Sequence, residues 1–199
     1  MPNRGDTRSD AGRAVSPPVD TDQRLQPCVG CGAVVPDSDG PAHRHLGASP
    51  GCWRLYGEVL GREYVDYVRF APVHRLTVDA YAAQHPGTPS PKAIGSVGVH
   101  LVRLHLQLER GLPHDRANAA MLEISSRLKE DFVRLDPPAS LGNVTVLDVL
   151  DAPDPDEHMA RVRGWAASVW EAWAPHHETV RLWAATRRSP EGGRRRRSS

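Results

Sequence analysis

All three cysteines of this chain, Cys28, Cys31 and Cys52, fall within a single stretch that has almost nothing else to hold it in place. Between positions 28 and 52 the sequence is punctuated by Gly30, Gly32, Pro36, Gly40, Pro41, Gly47, Pro50 and Gly51, with Asp37, Ser38, Asp39 and Ser49 among them. Turn-forming residues at that density leave too few large apolar side chains for a core. Something other than burial must therefore order the segment. Cys28-x2-Cys31-Gly32 is the half-knuckle of small zinc sites, where two thiolates reach one ion and the glycine lets the chain turn. Cys52 supplies a third sulfur. His43 and His45 lie between Cys31 and Cys52, so a Cys3His site for one structural Zn2+ is available from local residues, with either histidine as fourth ligand. Two alternatives stay open: isolated buried thiols, and a redox pair. The second fits poorly, because this CxxC does not stand between a strand and a helix start.

Helical patterning takes over after the knuckle. Trp53, Tyr56, Leu60 and Tyr64 recur at helical spacing and predict a helix from Cys52 to about Val68. Pro72 suits the first turn of a second, running to His85 and stopped by Pro86-Gly87. Ile94, Val97, Leu101, Leu104 and Leu108 form the apolar face of a third, from Pro91 to Glu109. A fourth is expected from Asp115 to Leu135, ended by Pro137-Pro138. The stretch from Asn143 to Leu150, with Val144, Val146 and Val149, suits either a short strand or an extended lead-in. A last helix is predicted from Asp156 to Thr186, bent or split by Pro175. It carries Trp165, Trp170, Trp173 and Trp183, which read as core. The fold class is thus mainly α: a helical bundle of about five helices over residues 53–186, with an N-terminal loop-rich zinc knuckle over 28–52.

Charge separates the ends from the body. The net charge is +1, but Arg187, Arg188 and Arg194 to Arg197 gather in the last residues and leave the body slightly acidic. A duplex-binding domain carries its positive charge on the folded surface, so nucleic-acid contact is expected only weakly, through the Arg-rich tail. Residues 1–27 and 187–199 are too poor in large apolar side chains to fold alone and are expected to be disordered. No segment approaches the length of a membrane helix, and the N-terminus lacks the apolar stretch of a signal peptide. A cytoplasmic location is the expectation.

A second group of residues bears on function. On one helix, positions 74, 81 and 85 share a face, which turns His74, Tyr81 and His85 the same way. His100 comes from the next helix and His177 from the C-terminal region. A possible pocket therefore comprises His74, Asp79, Tyr81, His85, His100 and His177, and a second metal ion bound by three of the histidines is geometrically allowed. The competing reading is structural: histidines that pack beside aromatics and favour helix C-termini. The sequence contains no Gly-Lys-Ser/Thr phosphate loop, no Gly-x-Ser-x-Gly and no His-Glu-x-x-His.

The strings Cys-Val-Gly-Cys-Gly-Ala, Gly-Ala-Ser-Pro-Gly-Cys-Trp and His-Arg-Leu-Thr-Val-Asp-Ala-Tyr-Ala-Ala-Gln-His-Pro-Gly resemble an uncharacterised bacterial family of unknown function, number 5946 in its series. The resemblance covers roughly residues 28–186. The family pattern places a histidine two residues before an aromatic, ahead of the Gly-Ala-Ser-Pro-Gly-Cys segment. That implies His43 as the fourth ligand, with His45 in the aromatic's place. It implies no reaction. Two functions remain: a non-catalytic zinc-binding module that recognises a small molecule or protein, and a metal-dependent hydrolase or transferase using the histidine-lined pocket.

Overall fold

The computed structural model describes residues 24–128 and 132–185. It begins with a short antiparallel hairpin, β1 (Leu25–Pro27) and β2 (Val34–Pro36), in which Gln26 faces Val35. Part of the segment expected to lack structure is thus a strand. The rest of that expectation, and the Arg-rich tail, lie outside the described residues.

Seven α-helices follow among the described residues. They are α1 (Pro50–Val65), α2 (Tyr67–Gln84), α3 (Pro91–Leu104), α4 (His114–Leu128), α5 (Val146–Leu150), α6 (Pro155–Ala172) and α7 (His177–Ala185). The mainly helical architecture is as the periodicity indicates, but the helix count rises from about five to seven. Asp66 explains one difference. It ends α1 and caps α2, its Oδ1 accepting from Arg69 N at 3.3 Å, so α2 starts five residues before Pro72. That proline sits inside the helix on its exposed side, where its missing N–H faces water. The Asn143–Leu150 stretch resolves as α5, because Thr145 and Asp148 form a capping box that outweighs the β-branched valines. Pro175 divides the last helix as expected, through a 3-10 turn at Ala174–His176. The third helix ends in a π turn at His105–Glu109. The fourth is described as far as Leu128, and residues 132–145 belong to no helix or strand, against the helix to Leu135 that the pattern predicts.

The middle of the molecule is α2. It packs on α1, α3 and α6, and α5 closes the gap between α1 and α6. From Asp79 to His85 every residue of α2 and its cap is buried. Trp165 and Trp173, fully buried on and just after α6, face it. Their indole N–H groups donate to Gln84 Oε1 at 2.9 Å and to the Ala83 carbonyl at 3.1 Å, as buried indoles require. The Gln84 amide donates in turn to the carbonyls of Leu141 and Val144, fastening that segment against the core. No helix among the described residues is long and apolar enough to cross a membrane.

Candidate metal centre

The turn between β1 and β2 shapes the first half of the centre. Cys28 N donates to the Ala33 carbonyl at 2.8 Å, and Gly32 N donates to the Cys28 carbonyl at 2.9 Å. Gly32 adopts φ +75°, a left-handed conformation that glycine enters without steric penalty. The turn brings Cys28 and Cys31 to one side. Cys52 arrives from the first turn of α1, whose N-cap Ser49 accepts from Cys52 N. Ser49 N lies 3.4 Å from Cys28 Sγ. A helix N-terminus, with its unpaired N–H groups, favours thiolate over thiol.

The fourth group is His85, at the C-terminus of α2. Its Nδ1 stands 2.7 Å from the Tyr81 carbonyl, so Nδ1 carries the proton and donates. Nε2, the ring nitrogen turned toward the cysteines, lies 3.4 Å from Cys52 Sγ. Cys31 and Cys52 sulfurs are 3.9 Å apart, and all four ligand atoms lie within 4.8 Å of one another. These residues can hold a metal ion. Cys28, Cys52 and His85 are buried and Cys31 is half-buried. Tyr81 Oη donates to Cys52 Sγ at 3.6 Å, and the Tyr81 ring stacks on Tyr56 at 3.8 Å.

Protons are unevenly shared in so tight a group. Hydrogen bonds from Cys31 and Cys52 push the Cys28 thiol far down, while the same contacts, with burial, push Cys52 far up. Burial disfavours a charge on His85, but hydrogen bonds to Cys28 and Cys31 outweigh it and raise the imidazole to about 9. Burial and the neighbouring Cys52 push the Tyr81 phenol up, keeping it a donor. A divalent cation bound by these four groups would displace their protons to solvent.

The histidine that lies with the three cysteines is His85, not one of the two local histidines. His43 is exposed on the loop, with its ring 5.2 Å from Trp53 and its Nδ1 accepting from His45 N at 3.3 Å. Neither His43 nor His45 joins the cluster. Proximity in sequence favoured them, but His85 comes from 33 residues beyond Cys52 because the knuckle is laid against the end of α2. Gly47 N donates to the His85 carbonyl at 3.0 Å, and Leu46 pairs with Pro86. A Cβ on Gly30 would overlap the Gly47 carbonyl oxygen and stand 2.6 Å from His85 Cδ2. The glycines flanking Cys31 and the Pro-Gly after His85 were the sequence signal for this contact.

The possible pocket does not assemble as one site. His74 bonds Glu63 at 2.7 Å, within a buried network that also takes in Thr77 and His158. Tyr81 and His85 belong to the metal cluster. His100 bonds Asp79 at 2.7 Å, beside a two-pronged contact from Arg103 to the same carboxylate. His177 stacks on Trp170 at 3.7 Å, in a different part of the fold. Nothing in the sequence marks Glu63, Arg103 and His158 as buried partners, because charged residues on amphipathic helices ordinarily face solvent.

Fold and site define a small helical protein with a hairpin knuckle whose Cys3His cluster can take a metal ion. The chain belongs to the family of unknown function DUF5946, whose model matches residues 26–174. No curated protein and no solved structure gives a match.

Proposed function

We propose that this protein binds one zinc ion through Cys28, Cys31, Cys52 and His85, and that the ion is structural, within a non-catalytic module that recognises a small molecule or protein. The separations among the ligand atoms carry the reading. A tetrahedral ion with Zn–S near 2.3 Å and Zn–N near 2.05 Å sets its ligands about 3.8 Å apart for two sulfurs and about 3.6 Å for sulfur and nitrogen. The corresponding separations here are 3.9 Å and 3.4 Å. Soft thiolates with one imidazole suit zinc over calcium or magnesium. Four protein ligands fill the tetrahedron and leave no position for substrate water, the mark of a structural site. The Tyr81 carbonyl fixes the His85 tautomer, and the Tyr81 hydroxyl donates to a ligating sulfur, the supporting shell such sites use.

The chemistry of the ion when bound is cross-linking: it joins the hairpin, the start of α1 and the end of α2. Elemental analysis of the purified protein tests this, with Cys52→Ser, His85→Ala and His43→Ala beside it. One zinc per chain is expected in the parent and in His43→Ala, and a strong loss in the other two. Zinc-free parent protein, or retention in His85→Ala with loss in His43→Ala, refutes the assignment.

A further inference from the structure

Among the described residues, one buried side-chain nitrogen or oxygen has no hydrogen-bond partner: Nε of Arg75. Its setting gives that orphan meaning. Most of α2 is enclosed; the residues that keep exposure are Tyr67, Val68, Arg69, Ala71, Pro72, Arg75 and Val78. They end at the wholly buried Asp79. This strip runs between α1 and α3, both of which pack on α2. Along α3, Ser96, His100, Arg103 and Gln107 keep partial exposure and recur at helical spacing, so they form the bank beside it. Along α1, Trp53, Leu60 and Tyr64 form the other. Arg75 lies on the floor of this channel, four residues before Asp79 and hence about 6 Å from it between Cβ atoms. Tyr56 feels both: burial raises its phenol, Glu63 and Asp79 raise it further, and Arg75 lowers it.

The acid nearest Arg75 along the helix is not free to pair with it. Asp79 is already committed. Arg103 Nε reaches Oδ1 and Oδ2 at 2.8 and 3.0 Å, Arg103 Nη2 reaches Oδ1, and His100 Nδ1 donates to Oδ1 at 2.7 Å. The 2.9 Å approach of Arg103 Nη2 to His100 Nδ1 follows from two donors converging on one oxygen. Asp79 thus neutralises Arg103, and the half-buried Arg75 has no ion-pair partner among the described residues. Its Nε is the atom withdrawn from water, and a buried donor left unpaired is costly and rare in natural folds.

We propose that the channel between α1 and α3 is an oxyanion-binding site. Arg75 is its anchor, and Asp79, already bound by Arg103 and His100, does not compete for the guanidinium. The ligand group is a carboxylate or phosphate, which the planar fork of a guanidinium matches with two parallel hydrogen bonds. Trp53 and Tyr64 supply apolar area for the rest of a small molecule bearing that group. The site is separate from the metal cluster and does not rest on the identity of the ion.

Calorimetric titration of the full chain with inorganic phosphate, acetate and citrate tests the proposal, run in parallel on Arg75→Gln and Arg75→Lys with metal content measured on every sample. Saturable binding of at least one of these anions is expected at one per chain. It should weaken at least about tenfold in Arg75→Gln, since a charge-assisted pair is lost, and in Arg75→Lys to a smaller degree. Preference for phosphate or for the carboxylates assigns the class of ligand. Absence of saturable binding by the parent protein, or equal binding by metal-replete Arg75→Gln, overturns it.

Discussion

Replacing Glu63 with leucine should be among the most damaging single changes in this fold. The carboxylate is wholly buried on α1. Oε2 accepts from His74 Nδ1 at 2.7 Å, and Oε1 accepts from Thr77 Oγ1 at 2.5 Å and from His158 Nε2 at 3.0 Å. His158 is set in that tautomer by Arg62, whose Nη1 lies 3.5 Å from Nδ1 while Nη2 donates to the Leu150 carbonyl at 2.8 Å. Leucine fills much of the same space but accepts nothing, so three buried donors from α2 and α6 lose their partner at once. Each orphaned group costs about 1–3 kcal/mol, and breaking a buried charged network from one side costs about 3–5 kcal/mol. For a chain of this size that corresponds to a fall in Tm of about 6–20 °C. Thr77→Val removes only one donor and should cost about 1 kcal/mol. Burial opposes the charge on Glu63, but the bonds from His158, His74 and Thr77 prevail and lower its pKa. Its contribution is therefore complete above the ordinary carboxylate range and declines as pH falls through the depressed folded value. Thermal unfolding of metal-replete protein, followed by circular dichroism from neutral pH downward, measures both effects. A Glu63→Leu protein melting within about 3 °C of the parent at neutral pH, near the shift from 1 kcal/mol, would refute the account.

Two further outcomes follow from the geometry. Gly30→Ala should lower metal retention without removing any ligand, because the added methyl meets the Gly47 carbonyl oxygen and the His85 ring; competition with a chromogenic chelator measures it, and unchanged retention would show that the knuckle does not bear on His85. Glu109 is held at about 2 chiefly by Arg181, with His105 adding to the effect against burial. Its stabilisation is thus present above the ordinary carboxylate range and lost as pH approaches that value, so the Tm gap between parent and Glu109→Gln should be small at neutral pH and close on acidification, and a gap that widens instead contradicts it.

How far the sequence discloses this molecule depends on how local each determinant is. The three cysteines of the cluster are legible because CxxC and a turn-rich segment without a core are local signals, and Pro175 is legible because a proline in a helix interior tends to break it. His85 is not, since its place in the cluster depends on backbones meeting at Gly30, Gly47 and Pro86, a long-range contact that no local spacing encodes. Asp66 and Asp148 act as caps within patterns that read as continuous helix or as strand. Glu63 carries no mark of burial, because its three partners come from α2 and α6.

What joins these hidden determinants is one short stretch of α2. His74 and Thr77 turn toward Glu63, Asp79 toward Arg103 and His100, Tyr81 and His85 toward the cysteines, and Gln84 toward Trp165. Successive residues of a helix point around its axis every 100°, so a central helix with neighbours on several sides can give each polar side chain a different partner. The even spread of histidine, tyrosine and acid that looks like one pocket along a single face is instead a set of separate contacts to α1, α3, α6 and the knuckle. Arg75, on the partly exposed side of α2, is the residue of this stretch whose buried nitrogen finds no partner among the described residues.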